Sequence, residues 1–203
     1  MENKKHKILI ISLPAGAGHT QAAKALLETA KKYPEIECRH LDMYDFITYT
    51  FKQAAVSAYD LLVKNMPEVW GFLYEKSDNP KMVKNFNTLT KRLKQINAGK
   101  FYREIEKFNP DSIICTHFLP AEMINNPPKK YSLHVPPATI ITDYDLHGLW
   151  INNGTSHYFV STPKMQWKLL NRKAQTEQNI TISGIPIDPK FYIANSKKSL
   201  KEK

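Results

Sequence analysis

The sequence predicts an α/β fold with a mostly parallel sheet flanked by helices. Three observations carry this expectation. Short apolar runs recur along the chain and end at polar residues: Ile8–Ser12, Asp111–Thr116, Ala138–Thr142 and His157–Ser161. Stretches with the 3.6-residue apolar period stand between or beside them. The first unit reads strand, helix, strand, the connection that joins parallel neighbours.

Taken in order, Ile8–Ser12 is a buried strand that breaks at Pro14 and turns through Gly16 and Gly18. Thr20–Tyr33 follows as a helix, with Ala22, Ala23, Leu26, Leu27 and Ala30 on one face and Pro34 as its stop. Ile36–Tyr44 reads as the second strand. Phe51, Ala55, Ala58, Tyr59 and Leu62 follow helical spacing, as do Phe86, Leu89, Leu93 and Ile96, and later Tyr102, Ile105 and Phe108. The three later strands end at His117, Asp143 and Ser161. Pro163–Arg172 is a helix, and Thr181–Ser183 is a last strand before Gly184. The lysine-rich end, Lys197–Lys203, has no apolar partners and reads as a disordered tail.

The chain has 203 residues and a formal charge of +10, which points to an anionic partner. Nucleic acid is the poorer choice, because the basic residues are dispersed and no nucleic-acid-binding signature is present. Cys38 and Cys115 sit in strand-like runs and form no disulfide framework, so they read as buried thiols. No apolar run approaches the ~20 residues that span a bilayer. The short apolar segment after Lys7 continues straight into a helix, which argues against a signal peptide and for the cytoplasm.

Gly16–His19, His117 and Asp143 each follow the carboxyl end of an expected strand, where open parallel sheets bind ligands. The glycine turn is not a nucleoside-triphosphate loop, since no Gly-Lys-Ser/Thr follows. Nor is it the dinucleotide fingerprint, since Gln21 stands where the third glycine belongs. His19 sits at the mouth of the helix, where the positive dipole favours the neutral ring that a general base needs. Thr142–Trp150 is the densest polar cluster. Asp143, Asp145 and His147 lack the spacings of zinc or calcium sites, so no metal is expected. Asp143 and His147 suit substrate hydroxyls, with Trp150 as an apolar platform. Trp70, Phe72, Leu73 and Tyr74 crowd around Pro67 and Gly71 with lysines on both sides. Two readings stand for them, core or membrane contact.

Six stretches then fall in a familiar order: PAGAGHTQAA after the first strand, MPEVWGFLYE, PDSIICTHFLPAE, TIITDYDLHGLW, HYFVST and SGIPIDPKF. In these the chain resembles the N-terminal half of the monogalactosyldiacylglycerol synthase and processive diacylglycerol glucosyltransferase family. It is more distantly similar to the transferase that adds N-acetylglucosamine to the peptidoglycan lipid precursor. The resemblance implies the N-terminal half of a GT-B glycosyltransferase, a fold of two Rossmann-like halves. One half takes the lipid acceptor on the membrane, and the other holds the nucleotide sugar. It implies transfer of a hexose from a UDP-sugar to diacylglycerol with inversion, at the inner face of the cell membrane, with no metal or cofactor required. By this resemblance His19 is the leading base and Asp143 its rival or orienting group. Gly16 and Gly18 let the backbone approach the donor. His117, His147 and Trp150 shape the acceptor pocket, and Trp70–Tyr74 dock on anionic lipid. Ala15 and Ala17 stand where the family's turn carries more glycine. Residues 1–184 are expected to form the acceptor domain, and 185–203 a linker towards a donor-binding domain that this sequence lacks. Such a half is expected to be inactive alone. A non-catalytic lipid-binding module, a polyprenyl-linked acceptor and a soluble binder of phosphorylated ligands are the alternatives.

Overall fold

A computed structural model describes residues 4–46, 53, 99–172 and 175–192. Trp70, Phe72, Leu73 and Tyr74, the two helices expected between Phe51 and Ile96, and the tail Lys197–Lys203 lie outside these residues.

Six strands form one sheet. They are β1 (His6–Ser12), β2 (Ile36–Asp42), β3 (Ser112–Cys115), β4 (Pro137–Ile140), β5 (His157–Val160) and β6 (Ile180–Ile182). Their spatial order is β2-β1-β3-β4-β5-β6, and every pairing is parallel. The near-continuous apolar runs at Ile8–Ile11 and Ile113–Ile114 match strands covered on both faces. Leu9, Ile10 and Ile11 are at most 1% exposed, and each such burial stabilises by about 1.5–3 kcal/mol.

Helix α1 (Ala17–Ala30) links β1 to β2. It starts three residues before the expected Thr20, because Gly16 takes φ 88° and lets the chain turn directly into the helix. It ends at Ala30, ahead of Pro34. Residues 99–108 are helical and lead into β3. Phe101, Tyr102 and Ile105 from that stretch pack with Leu9, Ile11 and Ile113 in one core cluster. Helix α2 (Phe118–Asn125) joins β3 to β4, and α3 (Pro163–Asn171) joins β5 to β6. Met165 and Leu169 of α3 pack with Trp150, Tyr158 and Ile141 in a second cluster. Beyond β6, Pro189–Tyr192 forms a 3-10 turn against α1.

The strand order fixes where the chemistry sits. From β1 the chain first moves outward to β2, then returns to place β3 on β1's other side. The loops after β1 and β3 therefore diverge, and a crevice opens at their carboxyl ends. His19 follows β1 and His117 follows β3, so the two histidines flank this switch point.

Candidate active site

The site is built from the ends of β1, β3 and β4. His19 lies in the first turn of α1 and is 9% exposed. Thr116 grips it twice. The Thr116 hydroxyl donates to the His19 carbonyl at 2.9 Å, and His19 Nδ1 donates to the Thr116 carbonyl at 3.0 Å. Thr142 Oγ1 lies 2.5 Å from the same nitrogen. A carbonyl only accepts, so Nδ1 carries the proton of the neutral ring and Nε2 carries the lone pair. Burial holds the His19 pKa below 6.5, against an opposing pull from the Asp143 carboxylate.

His117 is the N-cap of α2. Its Nδ1 accepts the Leu119 backbone N–H at 3.0 Å. This ring therefore has the opposite tautomer when neutral, with its proton on Nε2. Burial, with His19 and His147 nearby, holds its pKa well below 6.5. The His19 and His117 rings meet edge to face, 4.6 Å between centroids.

Asp143 follows β4. Its Oδ2 accepts the Trp150 indole N–H at 2.7 Å and lies 3.2 Å from His147 Nε2. Burial raises its pKa, but the bonds from His147 and Trp150 outweigh this and leave it below 3.8. Asp143 is thus a carboxylate at neutral pH and a weak base. Oδ1 has no hydrogen-bond partner among the described residues. The next carboxylate, Asp145, is held by Lys168 at 2.7 and 2.8 Å and caps the Leu146 N–H. The loop is pinned on both sides of Tyr144, which is 90% exposed.

Of the residues expected from the sequence, His19, His117, Asp143, His147 and Trp150 are brought together. Trp150 is fully buried. It presents no open face as a platform and reaches the site through its indole N–H. Gly16 is the N-cap of α1, whereas Gly18 lies inside the first helical turn. The residues that sequence reasoning passed over are Thr116 and Thr142. Each directly precedes a singled-out residue, His117 or Asp143, at a strand end, and that repeat is the signal that could have found them. Among the described residues, no group of three or more His, Cys, Asp or Glu is placed to hold a metal ion.

Residues 19–187 match the family described as Monogalactosyldiacylglycerol (MGDG) synthase. The chain belongs to this family. Its six-stranded parallel sheet is the Rossmann-like N-terminal half of the GT-B glycosyltransferase fold. The chain is 25% identical over 200 residues to the processive diacylglycerol beta-glucosyltransferase of Staphylococcus carnosus (strain TM300). It is 26% identical over 200 residues to the enzyme of the same name from Staphylococcus aureus (strain JH9). Each match covers 94% of this chain and 47% of the relative. The chain thus spans about half the length of the curated relatives it matches. Among the described residues, no helix is long and apolar enough to cross a membrane.

Proposed function

We propose that this chain is the acceptor-binding half of an inverting glycosyltransferase that moves a hexose from a UDP-sugar to diacylglycerol at a membrane surface. The observation that carries the reading is the His19 ring. Its Nδ1–H is committed to Thr116, its Nε2 lone pair has no partner among the described residues, and burial keeps it neutral at pH 7.

In the reaction, His19 Nε2 takes the proton of the acceptor hydroxyl. The hydroxyl oxygen bonds to the anomeric carbon as the bond from that carbon to the UDP oxygen breaks. Attack from the opposite face inverts the centre, and the leaving diphosphate carries the displaced electron pair. The Asp143 carboxylate stabilises the imidazolium that forms and orients the loop through Trp150 and His147. Positioned proton transfer of this kind contributes about 10²–10⁴-fold. Gly16 and the first turn of α1 offer backbone N–H groups towards the donor phosphates. The donor is held by a second half, as in the GT-B architecture, so this half alone does not turn over. Trp70, Phe72, Leu73, Tyr74 and the excess of basic residues serve contact with anionic lipid.

The test joins this chain to the C-terminal half of the Staphylococcus aureus relative. Transfer of labelled hexose from its UDP-sugar to dioctanoylglycerol is then measured, with this chain alone as the control. Transfer by the joined protein and none by the chain alone is expected. No transfer by a folded joined protein that still binds UDP-sugar contradicts the reading.

A further inference from the structure

Two neighbouring imidazoles in this site are locked in opposite tautomers. His19 gives its Nδ1–H to the Thr116 carbonyl and keeps a lone pair on Nε2. His117 receives the Leu119 N–H on Nδ1 and keeps a proton on Nε2. Neither Nε2 has a hydrogen-bond partner among the described residues. The two rings meet edge to face with centroids 4.6 Å apart, which puts one acceptor nitrogen and one donor nitrogen on neighbouring rings of the same crevice.

A hydroxyl satisfies His19, because it can donate its proton. A group that only accepts satisfies His117. Diacylglycerol carries both features on adjacent carbons, a free hydroxyl beside an ester. A simple long-chain alcohol carries only the first. We infer that His117 is a specificity-determining residue whose Nε2–H binds the ester oxygen next to the reacting hydroxyl of a glycerol diester. This rests on the proposed lipid acceptor and adds what the site reads in it. Because burial keeps the His117 ring uncharged, it donates without competing for the proton that passes to His19. A buried N–H left without a partner is costly, so acceptors lacking the ester carbonyl are discriminated against.

The test compares binding of dioctanoylglycerol with its 1,2-dioctyl diether, in detergent micelles, by calorimetry on this chain. The wild type is expected to bind the diester about tenfold more tightly, the range of one hydrogen bond. His117→Asn keeps an N-cap side chain for α2 but loses the reach of the ring. It is expected to bind both lipids equally, at the diether level, with an unchanged unfolding midpoint. His117→Gln, whose amide N–H reaches further, is expected to restore part of the preference. Equal binding of the two lipids by the wild type, or a preference that survives in His117→Asn, overturns this inference alone. Failure of the wild type to bind either lipid overturns the lipid-acceptor reading with it. Imidazole ¹⁵N NMR of the wild type supplies a check independent of variants. The Nε2–H tautomer at His117 and the Nδ1–H tautomer at His19 are expected, and the reverse pattern at His117 overturns the inference.

Discussion

At the scale of single residues, the two glycines of the first turn have different reasons to be there. Gly16 adopts φ 88° and ψ 169°, a region essentially reserved for glycine, where a Cβ costs about 1–3 kcal/mol. Gly16→Ala should therefore lower the unfolding free energy by about that amount in urea titration. Gly18 has no such constraint, and a Cβ there would meet nothing within 4 Å. In a helix an alanine is favoured over glycine by up to about 1 kcal/mol. Gly18→Ala should raise the unfolding free energy in the same titration. The histidines set a pH dependence. Burial holds His19, His40 and His117 below 6.5 in the folded chain. Unfolding returns them to about 6.5, so below that pH the unfolded state binds more protons. Stability is fully present above pH 6.5 and falls as pH drops below it, by at most about 1.4 kcal/mol per pH unit for each ring. Thermal unfolding between pH 7.5 and 5.5 should show this fall, and it should be shallower in His117→Asn.

At the scale of elements, the loop after β4 is braced from two directions. Asp143 is tied to Trp150, and Asp145 is tied to Lys168 on α3. The second tie is partly exposed, and such pairs contribute at most about 1 kcal/mol. Lys168→Met should leave global stability within that range and speed amide exchange at Leu146, which hydrogen–deuterium exchange measures directly. The strands and α1 were legible because their apolar runs are long or bounded by Pro and Gly. Helix α2 was not. Its eight residues are mostly apolar without a clear period, Pro120 falls inside it, and its cap is a histidine. The same cap hid the tautomer of His117, which depends on a backbone N–H two residues away. The position of Trp150 beside Asp143 was legible from its place in the loop, but its burial was not, because burial depends on Tyr158 and Met165 from later elements.

At the scale of the whole molecule, the strand order does most of the assembly. Because β3 returns to the side of β1 away from β2, residues almost a hundred positions apart meet at one crevice. The sequence placed His19, His117 and Asp143 at strand ends. Only the order of strands shows that the first two are neighbours. The formal charge of +10 belongs to this scale as well. Sedimentation with anionic vesicles should be strong at low salt and weaken as salt screens the charge. Binding that ignores salt or lipid charge would count against an electrostatic membrane contact.

The central proposal is that His19 is the base that activates the lipid hydroxyl. Its most direct test is hexose transfer to dioctanoylglycerol by the joined protein, His19→Ala against the wild type, from pH 5 to 8. The wild-type rate should fall below a pKa lower than 6.5, because the neutral ring is the active form. His19→Ala should lose about 10²–10⁴-fold and show no such limb, with its fold intact. A folded His19→Ala protein with the wild-type rate and the same acid limb would contradict it.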